Sequence, residues 1–415
     1  MKHICIIGGG AAGLMAAGIS LQQGVKVTVI ERNAITGRKL LLTGKGRCNV
    51  TNNCSDINEM IKNVPTNGRF LYSAFTAFMP SDTMALLEQL GVPLKTERGR
   101  RVFPVSDKAA DIADALRRFA TGAKIMNGRA QTLICNGNKI SACRLEDGSV
   151  IEADAFILAT GGMSYPLTGS TGDGYQMARA VGHTVSPLKP SLVALKASNG
   201  FCPLLQGLTL KNVTLSLFQK GRKKALYSEL GEMLFTHFGI SGPLVLSASA
   251  YIPDFQQHEY FVEVDLKPGL DETQLEKRVF KDFHENANKD IINALDKLLP
   301  KKLIPIIIKL SGIDAHKKVN QITKTERQQF LYTLKHLHID LVDFWSIEQA
   351  VITSGGIRVK EINPKTMGSK LYTNLYFAGE IIDVDAFTGG YNLQIAFSTA
   401  YTAATHATND GGDYE

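Results

Sequence analysis

Ile4-Cys5-Ile6-Ile7-Gly8-Gly9-Gly10-Ala11-Ala12-Gly13 decides the fold of this chain. Four apolar residues run into glycines at the spacing G-x-G-x-x-G, and an amphipathic stretch from Ala11 to Gln23 follows. The order is strand, tight turn, helix. Gly8 permits the turn, Gly10 lets the backbone approach a pyrophosphate, and Gly13 lets the helix lie close on the strand. Free N–H groups and the positive dipole end at Ala11 and Ala12 face the phosphates. A second strand, Val25 to Ile30, ends in Glu31, whose carboxylate can accept both ribose hydroxyls of an adenosine, with Arg32 beside it. These residues predict a dinucleotide site.

Length and composition set the bounds. A chain of 415 residues is long enough for two or three domains, and 44% hydrophobic with 20% charged residues is ordinary globular composition, which excludes a disordered or fibrous chain. Cys5, Cys48, Cys54, Cys135, Cys143 and Cys202 contain no C-x-x-C pair, so neither a zinc site nor a disulfide framework is expected, and no metal is expected. No apolar run reaches the ~18 residues of a membrane span, and Met1 to His3 lead straight into the first strand without room for a signal peptide. The expectation is a cytoplasmic protein without a membrane partner. Its net charge of +7 is carried partly by Arg222 to Lys224, Lys301 with Lys302, and Lys317 with Lys318, which read as solvated faces.

Between Gly37 and Asn52 glycine, basic and small polar residues alternate without a hydrophobic period, which predicts a loop that wraps a ligand. Arg38, Lys39 and Arg47 suit pyrophosphate, while Gly44, Gly46, Cys48 and Asn49 suit backbone contact with a flat ring. Cys48 and Cys54 are separated by five residues, one more than in the redox pair of flavin-type disulfide reductases, which argues against a redox disulfide. Helices are expected within Asp56 to Glu97, with Ser81 or Asp82 as a cap, and from Ala109 to Phe119. Strands follow at Lys124 to Met126, Ala130 to Cys135 and Ile140 to Leu145; the run at Ala130 is where adenine would meet backbone.

Ala155 to Leu158 is a third buried strand, and Ala159, Thr160 and Gly161 end it with room for a cofactor. Thr168 to Gly174 reads as a tight turn on the substrate side, opening a helix through Ala180. From Pro187 the texture changes. Residues 189–270 alternate like antiparallel strands and 271–340 read as helical, so 189–350 is expected as a domain inserted between the two parts, 1–188 and 351–415, of the cofactor domain. Within it Ser241 is expected to cap a helix beginning at Pro243, and His237 is a candidate acid/base group. The chain then returns to a strand ending in Gly379 and Glu380, followed by Asp383, and to Gly390-Tyr391-Asn392-Leu393 opening a helix that reaches about Ala407.

The motif at Gly8, Ala159-Thr160-Gly161-Gly162 and Gly379-Glu380-x-x-Asp383 together resemble FAD proteins of the glutathione-reductase-type fold. Gly46-Arg47-Cys48-Asn49-x-Thr51-Asn52 and Gly389-Gly390-Tyr391-Asn392-Leu393-Gln394 are similar to motifs of the bacterial aminoacetone-oxidase-like or BaiN-like flavoproteins, and the resemblance covers the whole chain. It implies an α/β FAD-binding Rossmann domain with an inserted β-barrel and helical cap, tightly bound FAD, and an NAD(P)H-linked or oxidase activity. The family usually carries Glu where this chain has Gly368, which sets apart whatever that Glu does. The resulting expectation is hydride transfer through flavin N5 from transiently bound NAD(P)H to a small organic acceptor, with Arg47, His237 and Tyr391 orienting substrate or supplying a proton. The alternatives are an amine oxidase producing hydrogen peroxide and an FAD-dependent RNA-modifying protein. The lysines of the helical segment have few aromatic neighbours, so a small-molecule substrate and no nucleic acid are expected. The oligomeric state is left open.

Overall fold

His3–Ile7 (β1) lies 0–2% exposed from Ile4 onward, because a strand in the middle of a parallel sheet is covered on both faces. A computed structural model describes residues 1–409 of the chain. The chain continues through Ala11–Gln22 (α1), Lys26–Glu31 (β2), Lys124–Asn127 (β3) and Ala155–Leu158 (β4). Next come Asp173–Ala180 (α2), Leu375–Phe377 (β5) and Tyr391–Thr408 (α3). The five strands pair in parallel in the order β5-β4-β1-β2-β3. From β1 the chain winds first to one side and later to the other, so the order reverses between β1 and β4. A crevice opens at the carboxyl ends of the strands at such a reversal.

Local chemistry explains the main elements. α1 is hydrophobic nearly all round, with Leu14, Met15, Ala16 and Ala17 buried, as expected of a helix packed on a sheet and on other helices. Its glycines set spacing: a Cβ on Gly18 would lie 2.1 Å from Phe119 on the helix Ala109–Phe119. That helix matches its expected bounds. The helix Pro80–Gln89 is capped differently from expectation. Asp82 sits at its third position and accepts from the N–H of Met79, while Pro80 occupies the first turn, where its missing N–H costs nothing.

The chain divides into two compact units, Met1–Ser191 with Ser346–Glu415, and Leu192–Trp345. The second is shorter at both ends than the expected 189–350 because Lys189–Ser191 and Ile352–Ser354 pair antiparallel inside the first unit. Two carboxylate oxygens hold that pair: Asp385, 2% exposed, accepts from Ser191 Oγ at 2.8 Å and from Ser354 Oγ at 2.9 Å.

The second unit is a closed six-stranded barrel with helices. Around the barrel run Leu195–Ala197, Gly239–Ser241, Tyr227–Thr236, Thr209–Gln219, Tyr260–Asp265 and Leu337–Phe344. Tyr260–Asp265 alternates buried and half-buried residues, the period-two pattern of a strand with one face inward. The expected helical range 271–340 is corrected at its end. Leu337–Phe344 pairs with both Tyr260–Asp265 and Leu195–Ala197, and without it the barrel would have two open edges. Three of its helices lie in sequence between the barrel strands Tyr260–Asp265 and Leu337–Phe344: Glu272–Glu285, Ile304–Leu310 and Lys324–Lys335. Capping boxes start two of them, Asp271 with Gln274 and Thr323 with Glu326. Among the described residues no helix is long and apolar enough to cross a membrane.

Candidate cofactor site

At the carboxyl edge of the first unit's sheet a cavity of about 1360 Å³, its open mouth included, runs along the turn Gly8–Gly10. Its lining reaches from Glu31 and Ala130 past the glycine turn to Asn392 and Leu393, an elongated shape that suits a dinucleotide. Gly8, at φ +107°, is where β1 passes β4: a Cβ there would stand 2.5 Å from the carbonyl oxygen of Ala159. Only glycine adopts that backbone and allows that approach.

At one end Glu31, 8% exposed, marks the position of an adenosine ribose. Its Oε2 accepts from Gly9 N at 2.8 Å, and its Oε1 accepts from Asn33 N at 2.8 Å and Asn33 Nδ2 at 2.7 Å. Three of about four acceptor positions on a carboxylate are filled. The side chain therefore has about one left for a ribose hydroxyl, where the sequence pattern alone allowed two.

Midway along, Lys39 Nζ donates to Glu380 Oε2 at 2.7 Å and to Ser164 Oγ at 2.6 Å. Glu380 Oε1 accepts from Ser164 Oγ at 3.1 Å and from Thr353 N at 2.9 Å. This network joins four distant segments at the cavity wall, with the Lys39 and Glu380 side chains 25% and 15% exposed. At the far end Asn392 and Leu393, in the first turn of α3, line the cavity. The dipole and free N–H groups of that turn favour a bound anion or a group that gains negative charge.

The structure brings together on this cavity Gly8, Gly10, Ala11, Ala12, Glu31, Arg32, Arg38, Lys39, Ala130, Ala159, Thr160, Gly161, Gly379, Glu380, Asn392 and Leu393. Gly13 lies just behind it as a packing residue. Gly44, Gly46, Arg47, Cys48, Asn49, Asp383, Gly390 and Tyr391 do not line it. Arg47 is turned away by its own charge partners: its guanidinium donates to Asp107 Oδ1 at 2.6 Å and to Glu97, and stacks 4.2 Å from the Phe103 ring centre. Gly44 and Gly46 form the positive-φ turns of the loop, and Cys48 is fully buried with its thiol pushed by burial up to about 11.

Asp383 accepts from Ser186 Oγ, and burial with the neighbouring Asp385 raises its carboxyl above the usual range. Gly390 caps α3 at φ +96° against the backbone of Thr51. Tyr391 is 8% exposed, and burial pushes its phenol up to about 12, so it holds its proton at neutral pH. His237 belongs to the second unit, exposed at the turn between two barrel strands and edge-on to Phe238 and Trp345. Ser241 ends a strand there, and Gly242 caps the helix Pro243–Ser249.

Asn33 and Arg129 line the cavity without having been singled out in the sequence, and Thr168–Ser170 with Asp173 line it as well. The turn from Thr168 was expected on the substrate side; it lines the dinucleotide cavity because Asn33 Nδ2 donates to Thr168 O at 2.9 Å. Gly368 sits in a turn against Tyr376, away from the cavity wall. Among the described residues no group of three or more His, Cys, Asp or Glu side chains is placed to hold a metal ion.

The residues present fit a bound dinucleotide. Among the described residues, Gly10 leaves nothing within 4 Å of a Cβ position beside the helix start, and Thr160 Oγ1 at the wall is buried with no hydrogen-bond partner. A parallel sheet with its glycine turn, acidic strand end and switch-point cavity defines a dinucleotide-binding protein of Rossmann type. The chain belongs to the family described as the HI0933-like protein Rossmann domain, which matches residues 2–406, and it is an FAD-dependent oxidoreductase. It is 31% identical to a 3-dehydro-bile acid delta(4,6)-reductase of Clostridium scindens, over 98% of this chain and 99% of that protein. It is 32% identical to a ribosomal RNA dihydrouridine synthase of Haemophilus influenzae, over 96% of each. Among solved structures, 3-ketosteroid delta1-dehydrogenase from Sterolibacterium denitrificans shares the fold, with a TM-score of 0.54 at 12% identity over 98% of this chain and 100% of that one.

Proposed function

We propose that the protein loads its FAD from transiently bound NAD(P)H and reduces a small organic acceptor at a carbon–carbon double bond conjugated with a carbonyl. The observation that carries this reading is chemical agreement between relatives that cover the whole chain. A delta(4,6)-reductase of a 3-dehydro-bile acid acts on double bonds conjugated with a ring ketone, and a dihydrouridine synthase acts on a ring double bond beside the uracil carbonyl. A double bond conjugated with a carbonyl accepts hydride at its far carbon, β in an enone and δ at the outer bond of a dienone, because the carbonyl takes up the charge as an enolate that a proton then quenches. The single G-x-G-x-x-G supports a nicotinamide that visits without a Rossmann domain of its own.

When bound, FAD supplies a two-electron carrier that accepts and donates hydride. The chain's residues bind and orient it. Gly8 to Gly10 and the start of α1 receive the pyrophosphate, and Glu31 receives the ribose. Lys39 and Glu380 offer a cation and an acceptor along the middle of the cavity. The first turn of α3 favours charge accumulating on the ring system. Tyr391 lies off the cavity wall but adjoins the cavity-lining Asn392 and keeps its proton at neutral pH, and it is the side chain proposed to hold a proton for the acceptor; Arg47 is committed to Glu97 and Asp107.

An anaerobic titration tests this. NADH or NADPH should bleach the visible flavin band, and a 4,6-dien-3-one steroid should restore it without oxygen. Bleaching by aminoacetone alone, with peroxide on admitting air, would establish an amine oxidase and overturn the reading. A second reading has a uracil of ribosomal RNA as the acceptor, favoured by the relatives of Haemophilus influenzae and Escherichia coli, at 32% and 30% identity. Dihydrouridine formed in ribosomal RNA by the reduced protein, with no turnover of the steroid, would select it.

A further inference from the structure

At the end of the cavity that Glu31 marks, one carboxylate holds two arginines from different parts of the chain. Asp173, the first residue of α2, accepts from Arg129 Nε at 2.8 Å through Oδ2 and from Arg129 Nη2 at 2.8 Å through Oδ1. Arg32 Nη1 donates to the same carboxylate at 3.2 Å and to Thr171 Oγ1 at 2.6 Å. All three charged side chains line the cavity, and Asp173 is the least exposed of them, at 16% against 33% and 40%.

The bidentate fork decides what Arg129 can offer a ligand. Its Nε and Nη2 edge is taken by Asp173, and Nη1 reaches Glu146 at 3.3 Å. With its edges engaged, the guanidinium has its planar faces left, and such faces stack on flat heteroaromatic rings. Gly128 and Ala130 on either side of it add almost no side-chain bulk, and both also line the cavity. Opposite in sequence, Thr168 and Gly169 are tied to Asn33, so that a Cβ on Gly169 would stand 2.5 Å from Asn33 Nδ2.

We propose that Asp173 is the positioning residue of an adenosine clamp, holding Arg129 and Arg32 at the adenine end of bound FAD. The hydrogen bond from Arg129 holds the Asp173 carboxyl below the usual carboxylate range, so the fork persists into mildly acidic solution. This inference rests on FAD binding alone and is independent of the acceptor.

Its test compares FAD with FMN, which lacks the adenosine half, in reconstitution of the apoprotein followed by flavin fluorescence. Asp173→Asn should weaken FAD binding by about ten- to a hundredfold through loss of charge-assisted hydrogen bonds, and leave FMN affinity unchanged. Arg129→Lys keeps a charge for Asp173 but removes the planar face, and should lose FAD affinity in the same selective way. Asp173→Glu, which retains the carboxylate, should recover part of it. Unchanged FAD affinity in either Asp173→Asn or Arg129→Lys overturns the proposal. So does an equal fall for FAD and FMN, the mark of a merely structural role.

Discussion

Gly10 and Gly13 belong to one motif, yet the structure assigns them opposite failures on substitution by alanine. A Cβ on Gly13 would stand 1.8 Å from the carbonyl oxygen of Gly8 and 3.0 Å from its carbonyl carbon. Both obstacles are backbone, so α1 must lift from β1 to admit a methyl group. Overpacking of a rigid contact costs about 1–3 kcal/mol and more where nothing yields, so about 3 kcal/mol is expected for Gly13→Ala. At about 2–4 °C per kcal/mol, the apoprotein should melt about 6–12 °C lower.

Gly10 has nothing within 4 Å of its Cβ position, and its φ of −81° is open to any residue. Gly10→Ala should keep apoprotein stability within about 1 kcal/mol, because it adds no clash and only a weaker helix cap. Its methyl group stands instead where the pyrophosphate must approach, so FAD affinity should fall at least about tenfold, about 1.4 kcal/mol. The assay is thermal melting of apoproteins beside FAD titration. An unshifted apo melting point for Gly13→Ala, or a Gly10→Ala apoprotein as unstable as Gly13→Ala, would refute the assignment of close packing to one glycine and ligand approach to the other.

Three further outcomes follow from buried groups. Asp385→Ala strips the acceptor from Ser191 and Ser354, and denaturant unfolding should show a loss of about 2–4 kcal/mol; a loss under 1 kcal/mol would count against the clasp. His183, its side chain fully buried between Glu361 and Ser369, is held by burial below its ordinary value near 6.5. It stays neutral in the folded chain while the unfolded chain takes up a proton. Its contribution to stability is therefore complete above pH 6.5 and is lost as pH falls through the folded value. Unfolding free energy measured between roughly pH 7 and 5 should fall less steeply in His183→Asn, and an identical slope would contradict this. For the thiols, Cys135 is exposed whereas Cys48 and Cys54 are buried with thiols raised by burial. A thiol reagent should label Cys135 in the native protein and reach Cys48 and Cys54 only on unfolding; rapid native labelling of Cys48 would revive a redox role for it.

The sequence alone determined what depends on neighbours along the chain. The G-x-G-x-x-G turn, Glu31 at a strand end, Thr160 after β4 and Gly390 before α3 were legible because each needs a particular backbone shape, and a short run of residues encodes it. The convergence of the turn, Glu31 and Thr160 on one cavity was inferable from the parallel order of strands, whereas Gly390 packs on Thr51 off the cavity wall. Tertiary structure decided what depends on partners far away in sequence. Arg129 and Asp173 are 44 residues apart, and nothing in either neighbourhood announces that the β3 exit and the start of α2 meet. Lys39 and Glu380 are 341 apart. Arg47 looked like a ligand-facing arginine until folding set Glu97 and Asp107 beside it, since a free cation and a paired one have the same sequence. The last barrel strand, Leu337–Phe344, hid behind a helical stretch because its place is fixed by two unsatisfied sheet edges, which exist only once the other strands have assembled.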